Sequence, residues 1–220
     1  SGTAATAPAA LAGAVGALAL VYLLSQSRGF VEPVSLVLIG VLVSILFGAA
    51  TLFLANLLPD AGFRVARWMI GSLSEETSTA ALAMVGVVVA LGLGAGLFLG
   101  PAMDVAALGD DEARSVGLPL ARLRLMLFVL AGALTAGSVV LAGPVGFVGL
   151  VCPHVVRLLA GPGHRVVVLG SALAGAALVV GADAATKAVS LGGGRMPIGI
   201  LTALIGGPVF IVLLRRDRNA

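Results

Sequence analysis

Long apolar runs alternate with short polar breaks along the whole chain. The apolar runs are Pro8–Leu24, Val34–Leu58, Ala80–Leu99, Leu125–Ala142, Leu150–Ala160, Val166–Val189 and Ile198–Leu214. A helix that crosses hydrocarbon needs about 20 mostly apolar residues, with a range of roughly 17–25. The fifth run is too short to cross alone at about 1.5 Å per residue. Gly143-Pro144 precedes it and Gly161-Pro162-Gly163 follows it, so it is expected to traverse part of the membrane packed against protein. Broken backbone at that depth is tolerated only there or beside a water-filled cavity. Gly100-Pro101 is expected to stop the third run. The pattern predicts an all-α, polytopic transmembrane helical bundle of seven segments, one domain over residues 1–220.

Composition agrees. Apolar residues make up 60% of the chain and charged residues 10%, against roughly 45–50% and 25% in soluble domains. Mean hydropathy is +1.16. A soluble fold of this size cannot hide so much apolar surface; lipid can. The 31 glycines suit helices that approach closely through small residues. Gly92, Gly96 and Gly100 share one helix face and read as a packing row. A net charge of +3 does not point to nucleic acid, because the basic residues sit at segment ends and no aromatic-studded basic run exists.

Charge also orients the chain. Alternating sides places Arg28, Arg114, Arg122, Arg124, Arg157, Arg165, Arg215, Arg216 and Arg218 together, nine residues against Arg64, Arg67, Lys187 and Arg195 opposite. The basic side is expected to be cytoplasmic, with the polar loop Asp104–Arg124 and the C-terminus on it. The stretch Arg64–Glu76 carries Arg67-Trp68, residues suited to the headgroup layer.

Catalytic patterns do not emerge. The chain contains no G-x-x-x-x-G-K-[ST] phosphate loop, no H-E-x-x-H and no G-x-S-x-G. His154 and His164 are ten residues apart at different expected depths, and Cys152 is the one cysteine, so it reads as a packing residue. Asp110, Asp111 and Glu112 are consecutive and cannot share a helix face. They suit a helix N-terminus, with Arg114 further along and Gly117 and Pro119 before the next helix. Two short helices against the cytoplasmic face are expected there, either a docking knob or an ordinary solvated loop. Arg157 and Asp183 lie in or near apolar runs, where an ionised group costs at least roughly 2.5–3.5 kcal/mol and so pairs or faces a cavity. His154, after Pro153, reads as a packed, hydrogen-bonded histidine.

One block is specific: Gly143-Pro-Val-Gly-Phe-Val-Gly-Leu-Val-Cys-Pro-His-Val-Val-Arg157-Leu-Leu-Ala-Gly-Pro-Gly-His-Arg165. It resembles the hallmark of the FecCD family, permease subunits of ABC importers for iron-siderophores, haem and vitamin B12. Asp183 in Gly-Ala-Asp-Ala, the Met196-Pro-Ile-Gly-Ile-Leu-Thr-Ala-Leu-Ile-Gly-Gly-Pro-Val run, Leu108-Gly-Asp-Asp-Glu-Ala-Arg-Ser-Val-Gly117 and Trp68-Met-Ile-Gly-Ser72 are similar to further blocks of that family. Together they cover about residues 30–218 in the family's order.

The resemblance implies a ten-helix subunit of which this chain supplies the last seven segments. Ser1-Gly-Thr-Ala-Ala is similar to a block near the family's third helix, so earlier helices are expected to be missing. Implied partners are a second permease subunit, two cytoplasmic ATPases that hold ATP and Mg, and an extracytoplasmic binding protein, in the cytoplasmic membrane of a bacterium. This chain itself would be non-catalytic and bind no cofactor. The loop 104–124, through Leu108, Gly109, Ala113, Arg114, Gly117 and Leu118, would contact the ATPase. Lys187 matches the family's basic residue in the penultimate helix, and Arg195 stands where a glutamate is common; both would face the binding protein. The second span matches a helix whose cytoplasmic half lines the translocation path, implying Gly48, Ala49, Ala50 and Thr51 near a gate. Gly143, Pro144, Gly146, Phe147, Gly149, Pro153, His154, Arg157, Asp183, Pro197 and Gly199 would be the structural motif residues. Iron-siderophore is the commonest cargo of that family. The rival is an ATP-independent channel or secondary transporter, which needs intramembrane ions; only Asp183 is a candidate. A membrane enzyme lacks any catalytic constellation.

Overall fold

Out of water, each backbone N–H and C=O has to find a partner within the protein, and the apolar runs accordingly form helices. The computed structural model describes residues 3–27, 30–31, 33–57, 79–188 and 196–217, with 62, 65 and 69–71 between them. In chain order these form α1 (Thr3–Leu24), a minimal antiparallel pair β1 (Gln26–Ser27) and β2 (Phe30–Val31), α2 (Pro33–Leu57), α3 (Thr79–Ala106), α4 (Asp110–Ser115), α5 (Leu120–Ala142), α6 (Val148–Ala160), α7 (His164–Ala188) and α8 (Ile198–Asp217). Four of them, α2, α3, α5 and α7, are long and apolar enough to cross a membrane. Polar side chains inside these helices close on their own backbone: Ser44 donates to Gly40 O at 2.8 Å, Thr135 to Ala131 O at 2.8 Å and Ser138 to Leu134 O at 2.9 Å. That bonding removes the cost of a bare hydroxyl in an apolar setting.

The short segment is short: α6 has 13 residues, roughly 20 Å of helix, well under the roughly 30 Å hydrocarbon thickness. Two expectations are corrected. Gly100-Pro101 does not stop the third run, because α3 continues through Pro101 to Ala106. A proline inside a helix removes the N–H that would bond the carbonyl four residues back, here Leu97 O. Arg165 of α7 supplies the missing donor, its Nε lying 3.1 Å from that oxygen. The loop 104–124 also holds one short helix, not two. Asp104 is still in α3, only α4 stands free, and residues from Leu120 onward are already in α5.

Helix α3 is the centre of the bundle. It packs antiparallel to α5 and to α7: the Cα of Gly92 faces Leu134, that of Gly96 faces Val168, and that of Gly100 lies under the Arg165 stem. The packing row read from the sequence thus serves two neighbours at once. On the far side of α5, Leu18 of α1 sits against Gly132, and Tyr22 meets Phe128 with ring centroids 5.8 Å apart. Helix α6 lies on α7 through Val156 against Gly170 and Val148 against Gly175. These antiparallel contacts put the end of α3, α4, the start of α5 and the start of α7 at one end of the bundle. The end of α5, the start of α8 and the end of α7 gather at the other. The outer faces stay apolar and open, as at Phe98 and Leu173, which are 82% and 73% exposed.

Adjacent glycines in α8 offer a test of this packing. A Cβ on Gly206 would run into Phe147 Cβ, whereas one on Gly207 would meet Phe147 Cζ and Cε1 at 3.6 and 3.9 Å, ordinary contact distances. Overpacking of this kind costs about 1–3 kcal/mol. Gly206→Ala is expected to lower the unfolding temperature in detergent, and Gly207→Ala to leave it unchanged.

Candidate functional site

The most polar internal stretch becomes a self-contained knob. Helix α3 ends in a turn, with Ala107 N–H donating to Met103 O at 3.0 Å and Leu108 N–H to Val105 O at 3.1 Å. Gly109 is the N-cap of α4, with φ 141° and the Glu112 carboxylate folded over it. Ala113 N–H donates to Gly109 O at 3.0 Å. Asp110, Asp111 and Glu112 occupy the first turn, where the helix dipole favours negative charge. The other end closes on Gly117 at φ 77°. Gly117 N–H bonds Arg114 O at 2.9 Å, and Leu118 N–H reaches back to Ala113 O at 3.0 Å. That pair of bonds is a Schellman cap, which needs a left-handed residue after the helix. Ala113 is fully buried beneath it.

Two side chains fasten the knob to the bundle. Arg124 of α5 pairs with Asp110 at 2.6 Å, both a little over 40% exposed. Exposure of that degree limits the pair to about 1 kcal/mol or less, so its effect is chiefly on orientation. At the end of α3, Asp104 Oδ1 accepts from His164 N–H at 2.9 Å and lies 2.6 Å from His164 Nδ1. Leu108 and Val116 flank α4 and are 72% and 69% exposed. The sequence reading includes Leu108 and omits Val116, whose signal was an apolar residue between the helix end and Gly117. Leu108, Gly109, Ala113, Arg114, Gly117 and Leu118 all fall in this one unit, but Ala113, Gly109 and Gly117 shape it while Leu108 presents a surface.

At the opposite end three chain segments converge. Gly199 N–H lies 3.5 Å from Gly71 O, a Cβ on Gly199 would strike Ile70 O, and one on Gly71 would sit 2.6 Å from Pro144 O. The motif residues Gly143, Pro144, Pro197 and Gly199 therefore belong to one crossing of backbones, joined there by the 70–71 segment. Phe147 caps α6 in the left-handed region at φ 67° and packs on Gly206. With residues of α7 and α8, Thr202 among them, it lines an apolar cavity of about 310 Å³. Gly149, Pro153, His154 and Arg157 lie along a groove of about 400 Å³ on α6, and Gly146 sits in the turn before it.

Asp183 does not meet Arg157. It pairs with Lys187 one turn on, at 2.6 Å, near the end of α7. Lys187 is therefore an ion-paired cation rather than a lone one. Arg195 lies outside the described residues. Gly48, Ala49, Ala50 and Thr51 sit in the half of α2 toward Leu57, away from α4, and are exposed or half-exposed. Open space surrounds Gly48, and the Thr51 hydroxyl donates to Phe47 O at 2.7 Å.

The ordered set of blocks decides the identity: the knob, the 143–165 block and the 196–208 run lie in one continuous fold. The FecCD transport family model matches residues 1–216. The chain belongs to the FecCD family. It is similar to the cobalamin import system permease protein BtuC of Halobacterium salinarum, 39% identical over 217 residues, covering 96% of this chain and 56% of that protein. It is also similar to the Fe(3+)-citrate import system permease protein YfmD of Bacillus subtilis, 35% identical, covering 96% and 62% respectively. The hemin transport system permease protein HmuU of Yersinia pestis is 33% identical, over 84% of this chain and 55% of that protein. A solved inward-facing conformation of a metal-chelate type ABC transporter superposes with a TM-score of 0.81 at 32% identity, covering 92% of this chain and 64% of that one. This FecCD chain therefore spans between half and two thirds the length of the relatives it matches.

The caps of α4 make a local prediction. An L residue in the left-handed region costs roughly 1–2 kcal/mol. Gly117→Ala is expected to speed amide exchange at Leu118 by about tenfold, since about 1.4 kcal/mol is one factor of ten. Exchange in the middle of α3 should not change.

Proposed function

We propose that this chain is the permease subunit of an ATP-driven importer, working with a second permease subunit, two cytoplasmic ATPases and an extracytoplasmic binding protein. The observation that carries the reading is the α4 knob. It is capped at both ends, tied to α5, and flanked by Leu108 and Val116, two large apolar side chains standing exposed beside charged residues. A solvated loop has no use for such rigidity, whereas a docking element does. ATP binding and hydrolysis on the partners would move the knob, and the cargo would cross between the two permease subunits along small and apolar side chains.

The cargo class follows from the relatives. They are named for cobalamin, Fe(3+)-citrate and hemin, each a metal ion held in an organic ligand. A metal chelate is the proposed cargo, and the iron-siderophore implied by the resemblance falls within that class. The α4 end faces the cytoplasm in this reading, as the arginine bias requires, and the Lys187 end faces the binding protein. A secondary transporter is disfavoured by Asp183, because the one candidate coupling carboxylate is already salt-bridged to Lys187.

Two outcomes test the reading. Leu108→Asp and Val116→Asp should each reduce the amount of ATPase that co-purifies with the permease by about tenfold, a loss of about 1.4 kcal/mol, with the bundle's unfolding temperature unchanged. Undiminished ATPase in both variants would remove α4 as the docking element. Lys187→Ala should slow association of the binding protein with the reconstituted permease, as a rim charge steers encounter. The difference should shrink as salt is raised, because exposed charges are screened; equal association rates at low salt would exclude Lys187 from that surface.

A further inference from the structure

Helix α7 opens at His164 after Gly161-Pro162-Gly163. Its N-cap position is Gly163, since Val167 N–H donates to Gly163 O at 3.0 Å. A glycine has no side chain with which to satisfy the free N–H groups of the first turn. The cap comes instead from another helix, 60 residues earlier in the chain. Asp104 Oδ1 of α3 accepts the His164 N–H at 2.9 Å and faces His164 Nδ1 at 2.6 Å. The next residue, Arg165, gives its Nε–H to Leu97 O at 3.1 Å, and its stem lies across the bare face of Gly100. Three successive features of α3, a carbonyl freed by Pro101, a side-chain-free face and a carboxylate, are thus matched by two adjacent residues of α7.

We propose that this latch makes the end of α3 and the start of α7 one rigid body, so that a displacement of α4 is passed on to α7; the proposal rests on α4 being the ATPase-docking element. Helix α4 touches α3 and α5, and Asp110–Arg124 ties it to α5. The last two turns of α3 connect α4 to the start of α7 through Leu97, Gly100 and Asp104. Asp104 is a positioning residue in this scheme. It fixes which helices move together. Helix α7 in turn carries Asp183 and Lys187 at the opposite end, so the latch joins the two faces at which partners would act.

The test reads a distance. In the assembled importer, with Cys152→Ala as background, spin labels are placed at Glu112→Cys on α4 and Leu173→Cys on α7, in protein diluted with unlabelled permease. The α4–α7 distance is measured before and after trapping with ATP and vanadate. The latch requires one unchanged distance in the parent. Asp104→Ala should add a second distance on trapping, and Asp104→Asn, which keeps the accepting oxygen, should restore the single one. Two distances in the parent, or one unchanged distance in Asp104→Ala, overturns the proposal. If Asp104→Ala does not accumulate, Arg165→Ala, which removes both the Nε–H to Leu97 O and the stem over Gly100, is judged by the same two outcomes. ATPase co-purification is scored separately with Leu108→Asp, so loss of the docking reading and loss of the latch are told apart.

Discussion

Helices in lipid gain nothing from burying apolar surface against one another, so their association depends on close packing and on paired polar groups. The Gly92, Gly96 and Gly100 row meets that constraint for the whole bundle. It lets α3 lie against α5 and α7 together, and the other contacts are arranged around that pairing. Helix α1 rides on α5, α6 rides on α7, and the α4 knob projects from the end of α3. A bulky residue in the row would not open one interface only. It would push apart the two helices that position the knob and the crossing at Gly71, Pro144 and Gly199.

The knob shows a second economy. Its six residues are too few to hold a helix by propagation, because short helices are marginal in water. Both ends are therefore closed by backbone geometry that glycine supplies, and Ala113 is buried in the middle. What is left exposed is a fixed shape with two apolar side chains on it.

Much of this was legible in the sequence, because apolar run length reports directly on membrane spans. The short fifth run, the packing row and the acidic helix start followed from spacing and residue type alone. The misses have a common cause in contacts between residues far apart. Pro101 looked like a stop because its helix-breaking effect is local, while the donor that repairs it sits at Arg165. Asp104 reads as part of a loop because nothing nearby in sequence shows that it caps α7. The pairing of Asp183 with Lys187 was within reach, at four residues' spacing on a helix. Val116 carries no periodic signal because an isolated apolar residue in a polar loop has no pattern to mark it.

Helix α2 differs from the rest in how it is held. Val43 and Ala55 are its buried apolar residues, and its packing partner among the described helices is α1. Most of its surface is left to lipid or to another chain. Packing against neighbours is what sets a helix's tilt, and α2 has few such contacts within the chain. The orientation of α2 therefore depends more on what lies against its outer face than does that of α3, which is held between two neighbours.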